Sequence, residues 1–278
     1  MISTDLVGSP TTWITVSERR EPTFEELLAW SLDAEPELLE FLPGLFQDLE
    51  ELGVRVEDVS RVLAGSSISR EHRVLDLGCG KGAVAIALAE KFGCSVRGVD
   101  GMPAFVEHAR ARAGALGVGD RCQFDCADVQ DEVRQSRGYD LVCLNAFGGA
   151  LGRLDEAVGL LRECVVPGGL VLIDDAYLRD GVEQDDELAF CFDHETTVQL
   201  LVAHGDEVLE ELVVDGEDSV AHYQWVTASI LARAEELAGQ HPGSADLLRE
   251  FATRQAAEVD VLTGPIVGAL WLLRRHSP

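Results

Sequence analysis

The sequence predicts an α/β protein whose sheet is mainly parallel and covered by helices on both faces. Three observations support this. From Arg73 onward, short apolar segments of strand length alternate with helical segments of about 10–15 residues. The first strand, Val74–Leu77, runs directly into the glycine-rich turn Gly78–Gly82. The second ends near a carboxylate, Asp100, which together with the turn is typical of a nucleotide-type cofactor site.

The N-terminal part, residues 1–70, is predicted to be an arm followed by a helical cap. Residues 1–20 show little hydrophobic periodicity. Thr23 stands at capping-box spacing from Glu26, which predicts a helix start. The cap helices are expected after Thr23, over Glu37–Leu52 with a break at Pro43-Gly44, and over Val56–Ala64.

Residues 71–278 are predicted to form one larger domain. Its strands are expected at Val74–Leu77, Ser95–Val99, Cys122–Cys126, Leu141–Leu144, Leu170–Ile173, Glu207–Val214 and Ile266–Leu273. Its helices are expected at Ala83–Phe92, Pro103–Leu116, Val129–Gln135, Leu154–Cys164, Glu195–His204, Ser219–Ala238 and Ser244–Leu262. The last two helices form an insert, residues 219–262, between the final two strands.

Composition restricts the function classes. The chain has 278 residues, 46% of them hydrophobic, which is enough for one sizeable core. It carries 50 acidic against 22 basic residues, a net charge of −28, so we expect neither a nucleic-acid nor a membrane partner. Residues 1–10 lack a basic region followed by an apolar stretch, so we expect no signal peptide, and without an apolar run of about 18 residues we expect no transmembrane helix. The seven cysteines make an odd number for a disulfide framework. We therefore expect a cytoplasmic protein with reduced thiols.

The glycine motif alone is compatible with two cofactors. Gly78, Gly80 and Ala83 satisfy G-x-G-x-x-A, the dinucleotide fingerprint. The same turn satisfies D-x-G-x-G-x-G with Asp76 in front. Asp100 can bind ribose hydroxyls under either interpretation. An NAD(P)-dependent oxidoreductase is therefore one hypothesis from this motif.

The remaining blocks of the sheet separate the alternatives. The segments 74–82, 97–100, 126–129, 139–145 and 167–175 together resemble the class I S-adenosylmethionine-dependent methyltransferases, in order and at ordinary spacings. The resemblance is specific to the superfamily, and within it small-molecule methyltransferases are the most similar. It implies a Rossmann-like, doubly wound sheet of seven strands in the order 3-2-1-4-5-7-6, with the last strand antiparallel.

The resemblance also assigns roles in binding S-adenosylmethionine. Asp76 would accept hydrogen bonds from the ammonium group, Asp100 would hold the ribose hydroxyls, and Asp128 would accept from the adenine amine. Asp128 also suits a plain helix N-cap, and Met102 suits plain packing. The full predicted cofactor set is Asp76, Gly78, Gly80, Asp100, Gly101, Met102, Asp128, Val129 and Asn145.

The acceptor side is predicted at the ends of the fourth and fifth strands, where ligands bind on such sheets. Candidates there are Asn145, Phe147, Asp174, Asp175 and Tyr177. Asp174 and Asp175 are predicted as the catalytic residues. Catechol-type enzymes bind magnesium at these strand ends, but Asn145 stands where that family has its first Asp, so no metal is predicted.

The predicted function is methyl transfer from S-adenosylmethionine to a small-molecule acceptor. The cap and the insert are expected to cover the pocket, and a homodimer interface is a second use of the same helices. The alternatives are the oxidoreductase and a non-enzymatic regulator that binds S-adenosylmethionine.

Overall fold

The computed structural model describes residues 23–145, 151–185, 188–189 and 191–276. The predicted arm over residues 1–20 and the candidate Phe147 lie outside the described residues. The strands are β1 Arg73–Leu77, β2 Ser95–Asp100, β3 Cys122–Cys126, β4 Tyr139–Leu144, β5 Val165–Leu178, β6 Glu207–Val214 and β7 Ile266–Arg274. The helices are α1 Phe24–Ser31, α2 Leu42–Leu45, α3 Val56–Val62, α4 Ala83–Phe92, α5 Pro103–Ala115, α6 Val129–Gln135, α7 Leu154–Cys164, α8 His194–Leu201, α9 Glu217–Gln240 and α10 Ala245–Thr263.

These strands form one sheet in the order β3-β2-β1-β4-β5-β7-β6. β1 pairs in parallel with β2 and β4, and the parallel pairing continues to β3 and β5. β7 lies antiparallel between β5 and β6. The predicted fold class, strand order and antiparallel last strand are confirmed.

Alternating strand residues fill two cores, one on each face of the sheet. Val74 and Leu172 face the core that includes residues of α3, α4 and α5. Leu75 and Ile173, one position further on, face the core that includes residues of α6, α7 and α8. Strands buried on both faces are apolar throughout, which is why the sequence shows continuous apolar runs there.

A third apolar cluster joins the cap to the insert. Phe46, which follows α2, lies between Phe105 of α5 and Phe251 of α10, with ring centroids 6.1 Å apart in each pair. Ile230 of α9 is buried in the same cluster. Because α5 starts just after the carboxyl end of β2, this cluster places the cap and the insert at the sheet edge where ligands bind.

All seven cysteines are free thiols. Within the described part of the chain, no helix combines the length and apolar character needed to cross a membrane.

Candidate functional site

The glycine-rich turn after β1 has a backbone that side chains disfavour. Gly78, Gly80 and Gly82 have φ angles of +69°, +51° and +79°. A Cβ on Gly82 would lie 2.8 Å from Ala109 Cβ and 2.9 Å from the Phe124 ring. Glycine here allows both the left-handed backbone and the close packing of the start of α4 against α5 and β3.

Asp100, at the end of β2, orders this turn. Its Oδ2 accepts from Gly80 N–H at 2.8 Å, and its Oδ1 accepts from Met102 N–H at 2.8 Å. Burial raises the pKa of Asp100, and these two hydrogen bonds oppose the rise. A carboxylate has about four acceptor positions, so both oxygens retain a lone pair for another donor. The geometry is compatible with a diol placed against the turn.

Asp76 and Asn145 face each other across β1 and β4 with unused acceptor atoms. Asp76 is 1% exposed, and Asn145 Nδ2 donates to its Oδ1 at 3.4 Å. Among the described residues, neither Asp76 Oδ2 nor Asn145 Oδ1 has a hydrogen-bond partner. Burial, followed by the charge of Asp100, raises the pKa of Asp76 to about 7. Two buried acceptors without donors suit a ligand cation that carries several N–H groups.

Asp128 follows β3 and caps α6. Its Oδ1 accepts from Gln130 N–H at 2.7 Å, so the N-cap alternative describes its local structure. Asp128 and Val129 also line the same cleft as Asp76, Asp100 and Asn145. Capping one N–H group does not exhaust a carboxylate, so capping and ligand binding are compatible.

These residues line a cleft of about 1040 Å³, counted with its opening to solvent. The cap supplies the opposite wall. A Cβ on Gly101 would lie 2.7 Å from Leu28 Cδ1 and 3.2 Å from Phe24 Cζ, so α1 lies directly on Gly101. A Cβ on Gly80 would lie 3.2 Å from Leu52 Cδ1. The cleft is therefore built jointly by sheet and cap.

Lys81 also belongs to this wall, which its sequence pattern did not indicate. Lys81 Nζ donates to the carbonyl oxygens of Phe46 and Leu49, each at 2.7 Å, and to Gln47 O at 3.4 Å. The only available signal was that a lysine stands inside the glycine turn without the rest of a phosphate-loop motif. Its carbonyl partners lie more than 30 positions away in the sequence; Leu49, for example, precedes Lys81 by 32 positions.

Three predicted site residues do not line the cleft. Met102 is buried in the third cluster with Phe105. Asp174 and Asp175 lie on β5 opposite Leu270 and Ala269 of β7. The Tyr223 hydroxyl of α9 lies 3.8 Å from the position of a Cβ on Gly268, which pairs with Ala176 of β5. Burial, followed by the charge of Asp174, raises the pKa of Tyr223 to about 12. Within the described residues, no group of three or more His, Cys, Asp or Glu side chains is arranged for a metal ion.

Comparisons with known proteins agree on the family. Residues 74–169 match a family model described as "Methyltransferase domain". The chain is 29% identical over 137 residues to methyltransferase GfsG of Streptomyces halstedii, a match covering 49% of each chain. It is 33% identical over 135 residues to the 23S rRNA (uracil(1939)-C(5))-methyltransferase RlmD of Pectobacterium atrosepticum, covering 46% of this chain and 29% of that one. The match therefore spans about half or less of the length of these relatives.

One solved structure extends the likeness to most of the fold. A methyltransferase from Geobacter sulfurreducens, in complex with S-adenosyl-L-homocysteine, superposes with a TM-score of 0.73 at 19% identity. The superposition covers 84% of this chain and 97% of that one. At this identity the likeness establishes the fold. The methyltransferase domain matched over residues 74–169 and the methyltransferase named among the relatives confirm the predicted resemblance to the class I S-adenosylmethionine-dependent methyltransferase superfamily.

Proposed function

We propose that the chain binds S-adenosylmethionine in the cleft and transfers its methyl group to a small-molecule acceptor. The observation that carries the proposal is the pair of unpartnered buried acceptors, Asp76 Oδ2 and Asn145 Oδ1, beside the glycine-rich turn. The amino-acid end of the donor has an ammonium group that supplies N–H donors and a positive charge. Ionised Asp76 would then gain the cation that its buried site lacks.

The other cleft residues fit the remaining parts of this donor. Gly78 and Gly80 carry no side chain of their own where the methionine moiety would approach. Asp100 has lone pairs left for both ribose hydroxyls. Asp128, with Val129, would face the adenine amine and ring from the start of α6. Gly101 and Asn145 complete the set of proposed donor contacts, whereas Met102 would support the site through the third cluster.

Charge argues against the dinucleotide alternative. The cleft lining carries Glu50 and Glu51 in addition to Asp76, Asp100 and Asp128. Lys81, the lysine of this wall, points its ammonium at backbone carbonyls. A pyrophosphate would bring two further negative charges into this site, whereas a sulfonium with an ammonium brings positive charge.

The donor supplies an electrophilic methyl group, and the chain would supply position and exclusion of water. We propose Asp174 and Asp175 as the groups that receive an acceptor proton or hold an acceptor cation, close to Tyr223. They lie on β5 opposite Leu270 and Ala269 of β7, and we propose that this part of the sheet faces the acceptor. The cap over residues 1–70 and the insert over 219–262 would cover this side as separate parts around the methyltransferase domain.

The acceptor class and location follow from charge and thiol chemistry. A net charge of −28 opposes binding to a phosphate backbone, so we favour a small molecule although one relative is named for rRNA. Free cysteines favour a reducing, cytoplasmic location. Homodimer formation through the cap and insert helices remains part of the proposal.

The decisive experiment is calorimetric titration of the purified chain with S-adenosylhomocysteine and, separately, NAD. We expect micromolar binding of the first and none of the second. Binding of NAD alone would overturn the proposed cofactor.

A second experiment addresses the reaction. Incubation with donor carrying a labelled methyl group and fractionated small-molecule extract should label a low-mass product. Tight donor binding without labelling of any extract fraction would instead favour a regulator that senses S-adenosylmethionine.

A further inference from the structure

Lys81 connects the glycine-rich turn to the cap through a buried ammonium group. The residue is 4% exposed. An ammonium has three N–H donors and no acceptor, and the carbonyls of Phe46, Gln47 and Leu49 account for all three. Hydrogen bonds of this kind, with a charged donor, are stronger than those between neutral groups.

The carbonyls belong to residues 46–54, which we name the roof segment. It connects α2 to α3 without forming a regular helix or strand of its own. Glu50, Glu51 and Leu52 of this segment line the cleft, and Leu52 lies directly over Gly80. In the described part of the chain, every hydrogen bond between the roof segment and the turn 78–82 comes from Lys81.

Other anchors hold the roof segment on its far side. Phe46 and Leu49 are buried in the third cluster, and Asp48 pairs with Arg233 of α9 at 2.6 Å. Glu50 pairs with His108 of α5 at 2.9 Å. These contacts attach the roof segment to the cap and helices, so Lys81 alone supplies the polar attachment to the turn among described residues.

Resting on the proposed donor binding, we propose that Lys81 is a positioning residue that holds the roof segment closed over the donor. When the roof segment is down, Glu51 and Leu52 close the cleft above Gly80 and keep water from the donor. Without the ammonium, the carbonyls of Gln47 and Leu49 would lose their Lys81 donor, and the Phe46 carbonyl would keep only its bond from Leu49 N–H at 3.0 Å. Such groups recover hydrogen bonds by reaching water, which here requires the roof segment to lift.

Lys81→Met tests this because it keeps the length of the side chain and removes the three donors. The chain offers a matched control in its second lysine. Lys91 Nζ donates to Ser60 O at 3.0 Å, also a carbonyl of the cap, but at an exposed position away from the cleft. Lys91→Met therefore removes a lysine–carbonyl bond without touching the roof segment.

The first measurement is amide hydrogen exchange in the ligand-free protein. In Lys81→Met, amides of residues 46–54 should exchange about tenfold faster or more, while those of β1 and β4 keep their wild-type rates. Lys91→Met should leave the roof segment unchanged. Wild-type exchange of the roof segment in folded Lys81→Met would overturn the proposal.

The second measurement is the dissociation rate of S-adenosylhomocysteine by stopped flow. Lys81→Met should release it about tenfold faster or more, and Lys81→Arg, which keeps a charged donor, should restore a rate near wild type. Equal dissociation rates in all three proteins would overturn the role in retaining the donor. If Lys81→Met fails to fold, amide exchange of the roof segment is compared between Lys81→Arg and Lys91→Met. In both variants this exchange should be close to wild type.

The two measurements separate this proposal from the proposed function. If wild type binds no S-adenosylhomocysteine, the donor site is wrong and the proposed role of Lys81 in retaining the donor is wrong with it. Exchange without ligand still shows whether Lys81 holds the roof segment. If wild type binds and neither property changes in Lys81→Met, the donor site stands and the role of Lys81 is wrong.

Discussion

Asp76 is placed where its charge is unfavourable until a ligand arrives. Burial raises its pKa to about 7, and the charge of Asp100 contributes in the same direction. Since this is above the ordinary value of 3.8, ionisation of Asp76 opposes folding of the ligand-free protein. The penalty is absent below about pH 4, grows as the pH rises, and is fully developed above the folded-state pKa of about 7.

Donor binding should therefore depend on pH through Asp76. In the proposed complex only the carboxylate form would pair with the ligand ammonium, so affinity for S-adenosylhomocysteine should fall about tenfold between about pH 8 and about pH 6. Titrations of wild type and Asp76→Asn across this pH range test this. Asp140→Asn is the control, because Asp140 lies on β4 and its carboxylate accepts from Arg73 N–H in an exposed hydrogen bond. Asp76→Asn should bind weakly with a flat profile, and an equally steep profile in that variant would refute the assignment.

At the scale of elements, helix starts place two of the proposed donor contacts. Gly82 begins α4 in the left-handed conformation, and Asp128 begins α6 by accepting from Gln130 N–H. Such starts are visible in sequence because glycine and aspartate are favoured there for known steric and hydrogen-bonding reasons. The predicted bounds of α4 and α6 agree with the structure residue for residue, and so do those of α7 and β3, which do not start at a glycine or aspartate cap.

Asp128 should contribute to both helix stability and donor affinity. Asp193, the N-cap of α8, is a matched control because it accepts from Thr196 N–H at 2.8 Å and does not line the cleft. Replacement of either by alanine should lower the free energy of unfolding by about 1 kcal/mol, measured by urea titration. In Asp128→Ala alone, affinity for S-adenosylhomocysteine should also fall, by about tenfold. Equal affinities in the two variants would show that Asp128 serves only as the N-cap residue of α6.

The sequence was less informative where tertiary contacts determine the length of a strand or the environment of a side chain. β5 was predicted over Leu170–Ile173 but extends over Val165–Leu178, because its second half pairs with β7 from Leu170 opposite Arg274 to Leu178 opposite Ile266. Met102 belongs to the cofactor set that the resemblance implies and also suits plain packing, and the structure buries it in the apolar cluster shared with the cap. Neither partner, β7 nor the cap, is close in sequence, so local patterns could not reveal these contacts.

At the scale of the whole molecule, charge is the dominant property. The net charge of −28 creates a negative potential around the protein, and the cleft adds five carboxylates from Glu50, Glu51, Asp76, Asp100 and Asp128. S-Adenosylmethionine carries one more positive charge than S-adenosylhomocysteine, because methyl transfer converts the sulfonium to a neutral thioether. The protein should therefore bind S-adenosylmethionine more tightly than S-adenosylhomocysteine on electrostatic grounds, and should release S-adenosylhomocysteine more readily.

Salt should reveal this preference. Between about 0.01 M and about 0.1 M salt the Debye length falls from about 30 Å to about 10 Å. Affinity for S-adenosylmethionine should weaken about two- to fivefold more than affinity for S-adenosylhomocysteine over this range. Parallel calorimetric titrations provide the measurement, and identical salt slopes for the two ligands would contradict the expectation.

Lys81 has a consequence for recombination between relatives. Its side chain arises from the turn, but its three acceptors belong to the cap. A chimera that joins this sheet to a cap from another enzyme would leave the buried Lys81 ammonium without acceptors, unless the new cap presents carbonyls at the same point. Cap and turn should therefore be exchanged together, and swaps that exchange only the cap should fold better when Lys81 is replaced as well.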